Sequence, residues 1–279
     1  MSQSLNLSKF DLTNKWVAVT GAAGLLGKQH AIALLEVNAN LVLMDKNKDG
    51  LIQVANELIQ LGLKGEVLNY DLDISNEFNV QSVKNDLSAK EISINVLINN
   101  AAINPKYESL AGGKNGSRVE NFDLSDWDFQ LAVGLKGSFI CSKIFGSEMA
   151  KKGKGVILNI ASDLSIIAPD QRIYSNNEFD ELQNVKPITY SVIKSGLIGM
   201  TKYLATYWNE SNVRVNAISP GGVYENQDSE FVDRLIKLIP LGRMASPDEY
   251  KSAIQFLCSD ASSYMTGQNL IIDGGRSVW

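Results

Sequence analysis

The sequence predicts an α/β fold, in which a doubly wound, seven-stranded parallel sheet carries helices on both faces. Seven short apolar runs alternate with longer amphipathic stretches along the 279 residues. Repeated strand–helix–strand units of this kind form right-handed parallel crossovers. No linker rich in Pro, Gly or Ser interrupts the pattern, so we expect residues 1–279 to form a single domain.

The predicted elements follow from the period of the apolar residues. The predicted strands are Trp16–Thr20, Asn40–Asp45, Glu66–Tyr70, Val96–Asn99, Val156–Ala161, Val213–Ser219 and Asn269–Ile272. The predicted helices are Leu25–Val37, Leu51–Leu61, Val80–Leu87, Asp126–Ala150, Ser191–Trp208 and Pro247–Ser259.

Composition excludes several classes of function. The net charge is −5 and long basic runs are absent, which argues against a nucleic-acid partner. The sequence contains no run of about 18 apolar residues, which a membrane span would need. Its first residues do not have the pattern of a secretory signal. We therefore expect a cytoplasmic protein. Cys141 and Cys258 lie in apolar helical patterns and are expected to be buried free thiols. With His30 as its only histidine, the chain is not expected to bind a metal.

A glycine-rich turn between the first strand and the first helix predicts a Rossmann-type dinucleotide site. Such a turn lets the backbone approach a pyrophosphate, and the helix start offers unpaired N–H groups to it. The residues expected to hold the pyrophosphate are Gly21, Gly24, Leu25, Leu26 and Gly27.

Asp45, at the end of the second strand, predicts a preference for NAD(H). A carboxylate there accepts both ribose hydroxyls of the adenosine and repels a 2′-phosphate. The neighbouring Lys46 acts against that preference. After the third strand, Asp73 is favoured over Asp71 as the partner of the adenine amino group, and Ile74 is expected to pack on the adenine ring.

The catalytic prediction depends on a serine and a Tyr-x-x-x-Lys pair. Ser162 follows the fifth strand, while Tyr190 and Lys194 share one face of the following long helix. A lysine ammonium near a phenol is expected to lower its pKa from the reference of about 10, which makes Tyr190 a proton donor or acceptor near neutral pH. Ser162 would hold the substrate oxygen, and Lys194 would also bind the nicotinamide ribose.

These motifs together resemble the single-domain short-chain dehydrogenase/reductase family. The matching segments are TGAAGLLG at 20–27, NNAA at 99–102, RVNAISPGGV at 214–223 and the motifs between 240 and 275. The resemblance implies that Asn99, Asn100 and Ala101 line the cofactor, as do Pro220, Gly221 and Val223, and that Val223 meets the nicotinamide amide. It also implies a homotetramer or homodimer.

Two departures from the family pattern bear on the chemistry. The family usually carries Asn in a V-N-L-x-G run that supports a proton path, whereas Gly134 stands there in this chain. In addition, Ser162 and Tyr190 are unusually far apart because a polar insertion, about 169–186, separates them. A second polar insertion covers about 104–121.

Both insertions favour a polar substrate of the sugar or sugar-phosphate type. Their cations, Lys106, Lys114, Arg118 and Arg172, are expected to meet a phosphate or carboxylate. The segments YLATYW, SPGGVYENQ and GGRSVW are similar to flagellin modification protein A and related oxidoreductases. That similarity implies a role in surface-glycan or nonulosonic-acid synthesis.

Two other functions remain open on the sequence alone. One is a reductase of 3-oxoacyl thioesters, which would need a basic patch for an acyl carrier protein. The other is a catalytically silent NAD-binding sensor, which Gly134 supports and the intact Ser162, Tyr190 and Lys194 oppose.

Overall fold

The computed structural model describes residues 6–103, 116–174 and 184–279. Seven strands form one sheet in the order β3-β2-β1-β4-β5-β6-β7, and every neighbouring pair is parallel. The strands are β1 Trp16–Thr20, β2 Asn40–Asp45, β3 Val67–Asp71, β4 Ile94–Asn99, β5 Gly155–Ile160, β6 Val213–Pro220 and β7 Asn269–Ile272.

The central strands are apolar on both faces, as a parallel sheet covered on both sides requires. Val17 and Val19 of β1 point into one buried cluster, and Ala18 between them points into the other. From β1 the chain runs outward through β2 to β3 and then returns to β4 on the other side of β1. This reversal opens a crevice beyond the carboxyl ends of β1 and β4, where ligands bind in open α/β sheets.

Helices cover both faces of this sheet. The helices α1 Leu25–Leu35, α2 Lys48–Gln60 and α9 Lys251–Cys258 contribute buried side chains to the first cluster. The second cluster is covered by α3 Glu77–Ala89, α7 Ile188–Tyr207 and a composite helix. The segments of that composite helix are α4 Leu124–Leu131, the π-helix Ala132–Gly137, α5 Ser138–Cys141, the π-helix Ser142–Gly146 and α6 Ser147–Lys152.

The predicted α/β sheet is confirmed, and each strand lies within two residues of its expected bounds. Sequence reasoning missed α8 Ser229–Ile236, which lies between β6 and α9. Of the two polar insertions, residues 104–115 and 175–183 lie outside the described part of the chain. Within the described part, no helix combines the length and apolar character needed to span a membrane.

Candidate active site

A cleft of about 1190 Å³ lies at the carboxyl ends of the strands. It extends from the glycine turn after β1 to the start of α7, and α8 forms part of its wall. The predicted site residues that line it are Gly21, Gly24, Leu25, Leu26, Gly27, Asp45, Asp73, Ile74, Asn100, Ala101, Ser162, Tyr190, Lys194, Pro220, Gly221 and Val223.

The glycine turn is fixed by the end of β4. Gly21 has a φ of 64°, and a Cβ placed on it would lie 2.7 Å from the Cα of Ala101. The Asn100 Nδ2 donates to the carbonyl oxygens of Thr20 and Gly21, each at 3.0 Å. The Thr20 hydroxyl oxygen accepts hydrogen bonds from the backbone N–H groups of Asn100 and Ala101. Only glycine fits at position 21, because the two backbones approach so closely.

The start of α1 is open to an anionic group. Gly24 adopts an extended conformation before the helix and offers no side-chain cap, so the first-turn N–H groups of Leu25, Leu26 and Gly27 have no side-chain acceptor there. A Cβ on Gly27 would collide with the carbonyl oxygen of Gly21, so this face also stays bare. A bare backbone at a helix N-terminus fits the pyrophosphate of a dinucleotide.

The carboxylate of Asp45 joins the end of β2 to this turn. Its Oδ2 accepts the Ala23 N–H at 3.0 Å, and its Oδ1 accepts the Asn47 N–H at 2.9 Å. Lys46 is exposed, and its Nζ lies 5.2 Å from the centroid of the Phe129 ring. The Asp45 carboxylate is therefore held at the wall of the cleft beside the glycine turn.

Ile74 and Asp73, which follow β3, line the cleft beyond Asp45. Ile74 is buried, and a Cβ on Gly137 would lie 2.8 Å from its side chain. Asp73 lines the cleft and accepts the Ser75 N–H at 2.8 Å, whereas Asp71 does not contribute to the lining. The choice of Asp73 over Asp71 agrees with this placement.

Asn99 does not line the cleft, contrary to expectation. Its Nδ2 donates to the Ser142 hydroxyl at 2.9 Å and to the Asn159 Oδ1 at 2.8 Å, inside the core. Asn159 in turn donates to the Thr201 hydroxyl, which ties β4 and β5 to α7. The reason is the alternation of strand side chains, because Asn99 and Asn100 point in opposite directions.

Ser162, Tyr190 and Lys194 meet beside the end of β5. Tyr190 shares a hydrogen bond with Ser162, and the Lys194 Nζ donates to the Ile160 carbonyl at 2.7 Å. The Lys194 Nζ lies 5.7 Å from the centroid of the Tyr190 ring. The fold therefore brings Ser162 next to Tyr190 and Lys194, although an insertion separates them in the sequence.

The expectation of a lowered tyrosine pKa is wrong for this structure. Burial raises the pKa of Tyr190, the hydrogen bond with Ser162 acts in the opposite direction, and the charge of Asp163 raises it further. Burial also lowers the pKa of Lys194 to about 8, and the cation of Lys186 adds to that shift. Tyr190 therefore holds its proton at neutral pH more firmly than an exposed tyrosine does.

Asp163 and Arg276 form a buried ion pair that sequence reasoning missed. The Asp163 Oδ2 accepts from the Arg276 Nη1 at 2.8 Å, and the side chains are only 4% and 7% exposed. The Asp163 Oδ1 accepts the Ser162 hydroxyl, also at 2.8 Å. Since an ionised carboxylate can only accept, the Ser162 proton points to Asp163, and the Ser162 oxygen serves as an acceptor.

Lys186 is a second missed residue. Its Nζ lies 3.9 Å from the centroid of the Tyr190 ring, and burial lowers its pKa to about 8. Its backbone N–H donates to the Gln171 Oε1 at 2.8 Å, which ties it to the segment after β5. No sequence signal marks Lys186, because its position depends on how the insertion folds back onto the cleft.

The cations expected to meet a substrate anion are arranged differently. Arg172 forms an ion pair with Asp170 at 2.6 Å and is 89% exposed, while Arg118 pairs with Glu120. Neither lines the cleft. Lys106 and Lys114 lie outside the described residues.

Gly134 lies in the first π-helix and is buried against α7. A Cβ there would lie 2.7 Å from the Ile193 Cγ2, next to Lys194 in the chain. π-helical turns often occur at functional sites. The close packing explains why a larger residue, including the Asn usual in the resembled family, does not fit without a shift of Ile193.

The loop after β6 closes the cleft on the other side of Tyr190. The Gly221 N–H donates to the Ile272 carbonyl at 2.9 Å, and Val223 pairs with Ala245 in a short bridge. A Cβ on Gly221 would lie 2.7 Å from the Asp273 Cα, which again requires glycine. Pro220, Gly221 and Val223 thus form one wall of the cleft that Tyr190 also lines.

A sequence profile described as Enoyl-(Acyl carrier protein) reductase matches residues 21–277. The chain belongs to the short-chain dehydrogenase/reductase family. It is therefore an oxidoreductase that acts on CH–OH groups and binds NAD(P).

Named members of this family are similar to the whole chain. The D-threitol dehydrogenase of Mycolicibacterium smegmatis is 33% identical, with 100% of both chains covered. The NAD-dependent glycerol dehydrogenase of Listeria innocua is 32% identical, with 96% of both covered. A gluconate 5-dehydrogenase from Burkholderia cenocepacia, solved with NADP and tartrate, is 25% identical. Its TM-score is 0.83, with 99% of this chain and 100% of that chain covered.

Proposed function

We propose that this enzyme uses NAD(H) to interconvert a secondary alcohol and a ketone on a small polyhydroxylated substrate of the sugar or sugar-alcohol type. The observation that carries the proposal is the meeting of Ser162, Tyr190 and Lys194 in the cleft that also holds the open glycine turn. An acid/base group and a dinucleotide-sized groove in one cleft suit hydride transfer at carbon.

In the proposed mechanism, Tyr190 exchanges a proton with the substrate oxygen. NAD(H), when bound, supplies or accepts the hydride. Ser162 presents its oxygen as an acceptor, because its own proton is held by Asp163, and this suits the hydroxyl form of the substrate. Lys194 fixes the Tyr190 end of α7 through the Ile160 carbonyl and keeps two further N–H groups for a ribose hydroxyl. Burial of Ser162 and Lys194 limits the access of water to these two side chains.

The preference for NAD(H) over NADP(H) is supported by Asp45. Its carboxylate is held at the ribose end by two backbone N–H groups and would repel a 2′-phosphate. The Lys46 ammonium, which would favour a phosphate, lies over Phe129. Asp45→Ser is expected to raise kcat/KM for NADP+ relative to NAD+.

The polyol class is supported by the names of the relatives, which act on threitol, glycerol and gluconate. A surface-glycan or nonulosonic-acid setting rests only on the resemblance of three segments to flagellin modification proteins, and we propose it on that basis. The alternative is a 3-oxoacyl-thioester reductase, because a 3-oxoacyl-[acyl-carrier-protein] reductase of Thermotoga maritima is 31% identical over 96% of this chain.

The deciding assay follows NADH and NADPH fluorescence with a panel of polyols, aldonates, ketoses and phosphosugars, plus acetoacetyl thioesters. We expect turnover with polyhydroxylated substrates and NAD(H). Turnover of thioesters alone would replace the proposal with the acyl reductase. NADH binding without turnover of any compound would favour the silent sensor.

We also propose a homotetramer or homodimer. Apolar side chains on the composite helix and α7 stay exposed in the single chain, among them Phe139 at 50% and Tyr203 at 65%. Sedimentation velocity would show a single-chain mass if this is wrong. Cys141 and Cys258 are buried free thiols, which fits the cytoplasmic location that we propose.

A further inference from the structure

Ser162 has a single hydroxyl proton, and its surroundings fix where that proton points. The Ser162 Oγ lies 2.8 Å from the Asp163 Oδ1, and the Leu164 N–H donates to the same carboxylate oxygen at 2.8 Å. The other carboxylate oxygen, Oδ2, accepts from the Arg276 Nη1 at 2.8 Å. All three partners of the carboxylate are donors and one of them is a cation, so Asp163 is an ionised acceptor that holds the Ser162 proton.

The orientation of Ser162 also dictates that of Tyr190. The two side chains share a hydrogen bond and both line the cleft. Because Ser162 has no second proton to give, the Tyr190 O–H is the donor in this bond. Both hydroxyl groups therefore offer acceptor oxygens to the substrate. An alcohol O–H can donate to these oxygens, whereas a ketone oxygen, which can only accept, finds no O–H donor unless Tyr190 leaves Ser162.

Arg276 reaches Asp163 from a turn that follows β7 and is itself fixed. In that turn the Asp273 Oδ1 accepts the Gly275 N–H at 2.9 Å, and its Oδ2 accepts the Ser277 N–H at 2.8 Å. The Arg276 side chain is buried, and its guanidinium is a permanent cation that needs an oxygen as its partner. Arg276 thus decides how the side chain of residue 163 is turned.

We propose that Asp163 and Arg276 are positioning residues that make the cleft bind the alcohol form of its substrate in preference to the ketone form. They act through Ser162, whose proton they hold away from the substrate. The inference rests on the proposed alcohol–ketone chemistry and adds which of the two forms binds more tightly. It concerns the affinity of the cleft for the two forms, not their equilibrium in solution.

The test measures the dissociation constants of both forms in complexes that cannot react. The alcohol is titrated calorimetrically into the protein saturated with NADH, and the ketone into the protein saturated with NAD+. The pairs are glycerol with dihydroxyacetone, threitol with erythrulose, and a 3-hydroxybutyryl with an acetoacetyl thioester. The ratio of the ketone constant to the alcohol constant, the preference ratio, is compared between variants and parent, so that the difference between the two nucleotides cancels.

Asp163→Asn is expected to reverse the preference. The Arg276 guanidinium takes the amide oxygen, so the amide N–H turns to Ser162 and donates to it. The Ser162 proton is then available to a ketone oxygen, and the preference ratio should fall by about tenfold, as one hydrogen bond provides. A preference ratio that is unchanged or higher overturns the inference.

The removal of Arg276 separates this orientation from a loss of packing. In Asp163→Asn with Arg276→Gln, no cation claims the amide oxygen, which can turn back to Ser162 and to the Leu164 N–H. The preference ratio should therefore return toward that of the parent. Arg276→Gln alone keeps the carboxylate and should also keep the parent ratio. A merely structural role predicts a further loss in the double variant, and a ratio as low as that of Asp163→Asn would overturn the role of Arg276.

Ser162→Ala decides the sign of the effect with the ion pair intact. Loss of the acceptor oxygen frees the Tyr190 O–H for a ketone, so the preference ratio should fall. If Ser162 gave its proton to the ketone in the parent, the ratio would rise instead, which overturns the inference even if the variants of the ion pair do not fold.

The three substrate pairs distinguish failure of this inference from failure of the proposed function. Binding of the thioester pair alone replaces the proposed substrate class, and the preference ratio of that pair then supports or overturns the inference in the same way. Binding of polyols and ketoses without the expected changes in the ratio overturns the inference and leaves the proposed function intact. If no alcohol and no ketone binds, both are overturned.

Discussion

At the carboxyl ends of β1, β2 and β4, the cleft is lined by backbone and small side chains, whereas at the ends of β5 and β6 it is lined by charges. The first region, the nucleotide half, consists of Gly21–Gly27, Asp45, Asp73, Asn100 and Ala101. The second, the substrate half, consists of Ser162, Asp163, Lys186, Tyr190, Lys194 and Arg276. The nucleotide half is built on closely approaching backbone with Asp45 and Asp73 at its edge, and the substrate half is built on a buried cluster of polar and charged side chains.

The difference between the two halves shows which kind of site can be predicted from a sequence. Backbone approach needs glycine at fixed positions in one short turn, so Gly21 and Gly27 mark it locally. Buried electrostatics joins residues that are far apart, as in the pair of Asp163 and Arg276, which are 113 positions apart. The sequence therefore does not reveal which residues meet in the substrate half, and the folded structure does.

The largest expected effect tests the substrate half at Tyr190. Tyr190→Phe removes the proton donor and acceptor, so kcat should fall by about 10²–10⁴-fold while NADH binding persists. Tyr264→Phe, at a fully exposed position away from the cleft, is the control. Turnover is followed by NADH absorbance and binding by fluorescence. An active Tyr190→Phe enzyme would remove Tyr190 from the mechanism.

The buried ion pair of Asp163 and Arg276 is expected to have a large effect on the free energy of unfolding. Arg276→Met leaves the Asp163 charge buried without its cation, which should lower the free energy of unfolding by about 3–5 kcal/mol. Lys143→Met breaks a 2.8 Å pair with Glu77 whose side chains are more than half exposed, and it should cost about 0–1 kcal/mol. Urea unfolding measures both. Equal losses would mean that burial of the pair is unimportant.

Backbone approach in the nucleotide half is tested with two glycines. Gly27→Ala places a methyl group against the Gly21 carbonyl, so NADH affinity should be lost and stability should fall by about 1–3 kcal/mol. Gly199→Ala, in α7, meets no atom within 4 Å and should stabilise the helix by about 0.5–1 kcal/mol. If Gly27→Ala bound NADH normally, the close-approach argument would fail.

The smallest expected effect concerns a titrating group buried in α1, the helix that begins in the nucleotide half. His30 is 1% exposed, its ring nitrogens have no partner among the described residues, and burial lowers its pKa to about 3. Since the unfolded pKa is higher, at about 6.5, stability is lost as pH falls below that value. At pH 5 the loss is about 2 kcal/mol, which His30→Leu should abolish. Urea unfolding at pH 7 and pH 5 decides this, and identical pH losses in both proteins would refute it.

Local sequence patterns predicted most of the fold and the nucleotide half of the site. Apolar periodicity predicted the seven strands, but α8 was missed because only Leu235 of its eight residues is buried. Asn99 was assigned to the cofactor because motif reading ignores which way a strand residue points. The direction of the Tyr190 pKa shift was wrong because burial, which sequence does not reveal, is its largest cause.

The pairing of Asp163 with Arg276 also links the end of β5 to the chain that follows β7. The contact forms only when β7 has joined β6, since Arg276 follows β7 in the chain. The contacts that hold the glycine turn come from β1, β2 and β4 and do not involve β7. We expect refolding to restore NADH fluorescence before enzymatic activity, because contacts between distant residues close last.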